Sequence, residues 1–450
     1  MISKFLNAQA LNYQGQKFVV NGIVMFLIYV FLGTLTNTFF ILYALERVDF
    51  AQLGLLIALQ FSIQIILDYP TAALGDWLGQ RRVLASASVI FGISFIILSQ
   101  ANDIVMLALA FSLFAIAGAQ ESGAWQSWFD NNYKLYVPED IDRTIFTSIF
   151  SKYQACLWMI NAIGFIVGGI LVTLFSRGGI FLLQGFVHIF YSFIFFKFMK
   201  DHPNFERMKP ELKNYFRLLM EGLTTTYRNK TLRLILIGMV ISSTAFTIWG
   251  NFLLFPTYAS YGKSDSMTAL IRAIIFLSSA ISFLFIAKIT HKLAKKQANR
   301  WLAVAQIFGP LLFFILIFTA LTFMPAEEKF SMIAALGIIL AIAGGSILNN
   351  IQQALMPRVF LDLIPDRNRN SVYSLIPTLV LLGGLPAAPI TGFALQQYGT
   401  LNVILFLAVL GTLGGLIIGF TILSMNGDLP KFRITKKISS EPVGFLDSSS

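Results

Sequence analysis

Charge is what this 450-residue sequence has least of. Only 12% of its residues are Asp, Glu, Lys or Arg, against roughly 25% in a soluble globular domain. That shortfall excludes an ordinary water-soluble fold. Cysteine is nearly absent. Cys156 stands alone, so no intrachain disulfide framework exists and a structural zinc site has no thiolate set. Its apolar neighbours make it a packing residue. There are three histidines and no His-Glu-x-x-His string. No phosphate-binding loop is present either: the nearest string, Gly262-Lys263-Ser264, has Thr257 where the earlier glycine belongs, which leaves ATP-driven pumping unsupported. No potassium-type filter and no paired catalytic acids occur. The expectations are therefore no enzyme activity, no cofactor and no metal. A cleavable signal peptide is not expected, because the first apolar run is too long and lacks a small-residue cleavage site.

What is there is apolar surface in long runs. Mean hydropathy is +0.73 and Phe occurs 44 times. The net charge of +11 sits in short loops between apolar runs, so it reads as membrane topology and not as a nucleic-acid surface. A helix needs about 20 mostly apolar residues to cross the hydrocarbon core. Runs of that length predict spans at 18–45, 52–75, 83–101, 104–129, 146–175 and 179–199, then at 232–260, 267–290, 300–323, 331–356, 371–397 and 400–424. Three breaks are minimal: Asn102-Asp103, Gly178-Gly179 and Gly399-Thr400 each predict a tight hairpin.

The fold class expected is all-α: twelve transmembrane helices in two six-helix bundles. The expected organisation is residues 1–200 for the first bundle, 201–230 for a linker, 231–425 for the second bundle and 426–450 for a polar, disordered tail. A short surface helix is expected within the linker, from Leu212 to Tyr227. Lys and Arg gather in alternate loops, among them Arg81, Arg82, Lys134, Lys152 and the linker, while the other loops hold only Arg47, Arg177, Lys263 and Lys329. By the positive-inside rule both termini are cytoplasmic. The localisation expected is multi-pass in a plasma membrane, the inner membrane of a prokaryote. The sequon at Asn229 then faces inward, where no glycan is added.

The loop after the second span reads Asp68-Tyr69-Pro70-Thr71-Ala72-Ala73-Leu74-Gly75-Asp76-Trp77-Leu78-Gly79-Gln80-Arg81-Arg82. Gly79 allows a tight turn, Asp76 suits a helix N-terminus, and the two arginines anchor the inner surface. This stretch resembles the signature loop of the major facilitator superfamily (MFS), roughly G-x-x-x-D-R-x-G-R-[RK]-[RK]. Asp76, Gly79, Arg81 and Arg82 match it; Ala72, Trp77 and Gln80 depart from it. Asp68-x-Pro70-Thr71 and the run Glu121-Ser122-Gly123-Ala124-Trp125-Gln126-Ser127-Trp128-Phe129-Asp130 are similar to stretches of its exporter-like, drug/proton antiporter-like branch. The resemblance implies that Asp130 pairs with Arg81 or Arg82 as a gate.

In span five, Gly164, Gly168 and Gly169 match part of the antiporter motif G-x-x-x-G-P-x-x-G-G, with Phe165 in place of its Pro. Span eleven repeats the idea with Pro386 and Pro389 among small residues. Generic small-residue packing explains the span-five stretch equally well, but the two stretches occupy equivalent places in the two halves, which favours gating helices over coincidence. Ile364-Pro365-Asp366-Arg367-Asn368-Arg369-Asn370-Ser371 resembles the family's entry to span eleven.

A charge at membrane depth is costly and is therefore a functional candidate. Asp68 forms an i, i+4, i+8 stripe with Gln60 and Gln64, and Glu121 lies in the inner part of span four beside Gln120, Trp125 and Trp128. Each is a candidate to carry a coupling proton, or else a fixed structural partner. His188 in span six is a relay candidate or, more simply, packing. Arg272 in span eight is an anchor for an anionic substrate, a partner for a carboxylate, or a side chain reaching outward. Asn37, Asn251 and Asn349 are cavity candidates.

The expectation is a monomeric carrier for a small-molecule substrate in a lipid bilayer, with the proton as coupling ion and no nucleic-acid partner. Its two halves rock about a midplane site and export a small amphipathic or hydrophobic compound. The rivals are an importer or symporter of a polar or anionic metabolite, and a carrier-like receptor or assembly factor that moves nothing.

Overall fold

Twelve apolar helices cross the bundle. The structure, a computed structural model, describes residues 2–6, 8–140, 144–201, 212–290, 293, 295–364 and 369–425; the sequence features at 365–368 and 426–450 lie outside that set. No strand occurs among the described residues. Span one is Tyr13–Thr34, continued after a break by Phe40–Leu45. Spans two and three are Phe50–Leu78 and Gln80–Gln100. Span four is Ile104–Glu121, continued by Ala124–Tyr136. Spans five and six form one helical stretch, Thr144–Phe198, folded back on itself. The linker carries the helix Leu212–Arg228. Span seven runs through Lys230–Ile248, the π-helical Trp249–Leu253 and Leu254–Gly262. Span eight is Asp265–Thr290, span nine Lys295–Phe323 and span ten Met332–Leu363. Spans eleven and twelve share Arg369–Ser424, folded at Gly399.

Local chemistry explains the ends. Asp103 caps span four through the Met106 N–H. Asp49 and Gln52 form a reciprocal capping box at span two. The Gln52 N–H holds the Asp49 carboxyl below its usual range. The hairpin between spans eleven and twelve turns at Gly399, with φ of 76°. The hairpin between spans five and six departs from expectation. It turns at Ser176, with φ of 64°, and not at Gly178-Gly179. The Ser176 hydroxyl accepts from the Gly179 N–H at 3.3 Å, so the serine caps the next helix and both glycines fall inside its first turn.

The core comes in three large clusters and one small one, in which Ala162 and Phe165 of span five meet Ala273 of span eight. One buried cluster spans both halves, from Leu35, Leu53 and Phe95 to Ile248, Phe314, Ala388 and Leu407. A second belongs to the first six spans alone (Val19, Trp125, Tyr153, Phe195). A third belongs to the last six alone (Leu232, Leu302, Leu355, Ile422). The shared cluster lies at the end bearing the 46–49, 176–179 and 263–264 turns. The separate clusters lie at the end bearing Gly79, Lys200 and the linker helix. The molecule is thus fused at one end, called here the closed end, and divided at the other, the open end.

Two pairs of helices make the seam. Span two packs on span eleven: a Cβ on Gly54 would stand 2.8 Å from the Ala388 carbonyl oxygen, and one on Gly392 would run into the Phe50 carbonyl. Span five packs on span eight: a Cβ on Gly169 would stand 2.5 Å from that of Ala269. Arg177 ties the seam off by pairing with Asp265 and Glu46.

Candidate functional site

Spans one and seven are the two helices that break near mid-membrane. In span one, residues 35–39 leave α-helical geometry; the Asn37 N–H reaches the Thr34 carbonyl and the Phe39 N–H the Thr36 carbonyl. In span seven the π-helical turn Trp249–Leu253 inserts the extra residue. Asn37 and Asn251 sit in these breaks. Both line a cavity of about 800 Å³ between the halves, which widens toward the open end at Met239, Gln352, Gln353, Met356 and Ile418.

The lining has a clear chemistry. Seven carboxamides face it: Asn37, Gln60, Asn251, Gln306, Asn349, Gln352 and Gln353. Phe40, Phe95, Phe114, Phe246 and Phe255 supply flat apolar walls, and among the described residues no charged one lines it. Backbone carbonyls orient two of the amides, Asn251 from its own helix and Gln352 from span nine. Asn251 Nδ2 donates to the Thr247 carbonyl at 2.8 Å, and Gln352 Nε2 donates to the Ala305 carbonyl at 2.7 Å. Each of these amides keeps its second N–H and its side-chain oxygen for a guest. Asn349 Oδ1 is buried without a partner, a state that a ligand hydrogen bond would relieve.

Four of the sequence candidates (Asn37, Gln60, Asn251 and Asn349) therefore meet in one cavity. The others lie elsewhere. Gln64 faces span four near Gly118. Asp68 is half-buried beside Ser122. Glu121 closes the first segment of span four, beside the Tyr29 hydroxyl and near Tyr153. His188 is buried within the first six spans, 3.3 Å from Gln184 and flanked by Tyr29, Phe91 and Phe95.

Arg272 is buried, 5% exposed, behind the cavity wall. It donates to Asn37 Oδ1 at 3.0 Å and Thr38 Oγ1 at 3.1 Å across the seam. Its guanidinium stacks 3.8 Å above the Phe165 ring, with Phe255 and Phe276 close by. The span-five glycines press on the same place. A Cβ on Gly164 would strike the Thr34 hydroxyl, and one on Gly168 the Leu35 carbonyl. In span eleven, Pro389 packs on Gly54 while Pro386 is exposed.

At the open end Gly79 has φ of 91° and separates spans two and three. The Arg81 N–H donates to Asp201 Oδ1 at 3.0 Å, and the Arg81 guanidinium lies 4.9 Å from the Phe196 ring. Arg82 is exposed, and Asp130 pairs with Lys134 at 2.7 Å. The Asp76 side chain lies outside the described residues. Sequence reasoning missed Asp201 and Gln306. Asp201 lies 120 positions from Arg81, and no local spacing signals it. Gln306, in the middle of an apolar run, was findable as a polar residue at membrane depth.

The family model described as Major Facilitator Superfamily matches residues 18–360. No curated protein matches the sequence. Among solved structures, the nucleoside transporter NupG aligns with a TM-score of 0.61 at 16% identity, over 93% of this chain and 100% of that one. A bacterial homologue of the human lysosomal transporter Spinster, in an inward-facing and unoccupied conformation, aligns with a TM-score of 0.66 at 15% identity, over 90% of this chain and 97% of that one. At such identities the likeness is one of fold.

Proposed function

The chain belongs to the major facilitator superfamily, and from that premise we propose an alternating-access carrier for a small uncharged molecule rich in hydrogen-bond donors and bearing a flat apolar face. One observation carries this reading: among the described residues the cavity wall holds seven carboxamides and five phenylalanines and no charge. A charged guest would lose its hydration there without gaining a counter-charge, at a cost of several kcal/mol. A polyhydroxylated guest with a ring trades water for amide oxygens and rests its ring on phenylalanine. Nucleosides and glycosides have this chemistry, and NupG, of like fold, is a nucleoside transporter. A purely hydrophobic export cargo, one form of the amphipathic or hydrophobic compound expected from the sequence, fits a wall this rich in amides less well.

The positive-inside rule makes the open end cytoplasmic, with both termini there. Arg81, Arg82, Lys134, Lys200, Arg228 and Arg233 lie at that end. The structure is then the inward-open state. Since neither Asp68 nor Glu121 lines the cavity, coupling acts beside the cargo and not on it. Glu121, between Tyr29 and Tyr153, is the carboxylate assigned to proton coupling.

The test uses purified protein in liposomes with an internal pH dye. Uridine, adenosine, a neutral glycoside, uridine monophosphate and a hydrophobic cation are offered in turn. Movement of a neutral solute with proton flux, lost in Glu121→Gln, is the expected result. Movement of the phosphate or the cation in place of the neutral solutes overturns the reading of the cavity. Solute movement unchanged in Glu121→Gln overturns the coupling assignment alone.

A further inference from the structure

Arg272 and Asn37 stand in opposite halves, and they join the cavity to the closed end. Asn37 is on the cavity wall, and its side-chain oxygen is also an acceptor for Arg272. Among the described residues Arg272 has no carboxylate partner. It rests on two acceptors, Asn37 and Thr38, and on the Phe165 face, and its Nε is buried without a partner. A buried guanidinium held so sparely depends on each acceptor it has. Asn37 lies in the one stretch of span one where the helical ladder is interrupted, so its side chain can shift without breaking a regular helix.

We propose that Asn37 and Arg272 form an occupancy sensor that holds the closed end shut only while the cavity is empty. A donor-rich guest competes for the Asn37 oxygen and draws the carboxamide toward the cavity. Arg272 then loses an acceptor at the seam, and the closed-end state loses the stabilisation that this contact gave it. Guest binding is thereby converted into a bias toward opening on the far side, which is the differential interaction any ligand-driven shift needs. The proposal rests on the reading of the cavity as the cargo site.

The test measures the closed end directly. Cys156 is replaced by Ser, and spin labels are placed at Gln100→Cys and Glu328→Cys, exposed closed-end positions in the two halves. The distance distribution is recorded in lipid nanodiscs without solute and with uridine.

Three results are expected. Uridine lengthens the distance in the labelled parent. Arg272→Gln lengthens it without any solute, changing the ratio of long to short distances about tenfold. Asn37→Asp, which gives the guanidinium a charged partner, keeps the distance short at uridine concentrations that still quench tryptophan fluorescence. Solute-free distributions identical in the parent and Arg272→Gln, with a normal uridine response in Asn37→Asp, overturn the proposal. If uridine neither binds nor moves the parent, the reading of the cargo has failed, while the solute-free comparison still decides the latch. If Arg272→Gln does not insert, Asn37→Asp and Arg272→Lys test the same contact without removing a charge. Both should then enrich the short distance relative to Asn37→Ala.

Discussion

At the scale of single residues, one aspartate does work that no local pattern announces. Span three begins at Gly79, which has no side chain to accept the first free N–H groups of the helix. Asp201, just past the end of span six, supplies the missing acceptor through the Arg81 N–H. Trp128 fixes the neighbouring Lys200 by donating from Nε1 to its carbonyl at 2.8 Å. The signature loop, span four and the start of the linker are thereby tied together. Asp201→Ala should cost about 1 kcal/mol, the usual loss for a cap, and lower the melting temperature of the detergent-purified protein. Asp201→Asn, which keeps an acceptor, should restore most of it. A replacement at Gly79 should be worse than either, because the position combines a left-handed backbone with contact to Asp201. The sequence marks Asp76, Gly79, Arg81 and Arg82 by their spacing. It could not mark Asp201, whose role depends on where span six ends in space. Arg272 shows the same limit. A lone arginine in an apolar run is legible as special, but whether it meets cargo, lipid or the other half depends on packing.

At the scale of helices, the broken spans matter more than the regular ones. Span one breaks at 35–39 and span seven at 249–253, at matching places in the two halves. Each break turns an asparagine toward the cavity. The glycines of span five explain how the first break is held: they let that helix approach the Thr34 hydroxyl and the Leu35 carbonyl where the ladder is already interrupted. Gly168→Val should therefore push span five off span one and destabilise the protein by about 1–3 kcal/mol, read as a fall in melting temperature. Gly344→Ala is the control. A Cβ there would meet only Leu316 at 3.9 Å, so the change should be neutral or slightly stabilising, as expected for alanine in a helix. Span number and order were legible because a twenty-residue apolar run has few alternatives in a membrane. The breaks were not, since π-turns and short 3₁₀ stretches leave no period to detect. The hairpin at Ser176 was misplaced by the glycine pair beside it, because the serine's cap settles the turn and not the freedom of Gly178 and Gly179.

At the scale of the whole molecule, the described residues bring the halves together at the closed end. Arg177 with Asp265 and Glu46, Arg272 with Asn37, Gly54 with Ala388, and Gly169 with Ala269 are all closed-end contacts. The Arg177–Asp265 pair is partly exposed, with the side chains 23% and 25% accessible, so its contribution to stability is expected to be small, under about 1 kcal/mol. Its effect should appear instead in the balance between states. Arg177→Asp should raise the population open on the far side, Asp265→Arg should do the same, and the double exchange should bring it back, as read by closed-end label distances. Failure of the double exchange to restore the balance would show that the pair is incidental. The general plan of two helical halves about a central cavity was legible from the spacing of apolar runs. Which end the halves share was not, because contact between helices of different halves leaves no mark in the spacing of apolar runs.

That asymmetry of the core bears on what the peptide chain between the halves is for. A seam sealed by apolar packing on the far side from the linker does not depend on the linker for its cohesion. Residues 201–230 are then expected to act as a tether that raises the local concentration of one half about the other. Two polypeptides divided there would keep complementary faces at Gly54 and Ala388 and at Gly169 and Ala269, so the halves carry in their own surfaces the information needed to find each other and reassemble.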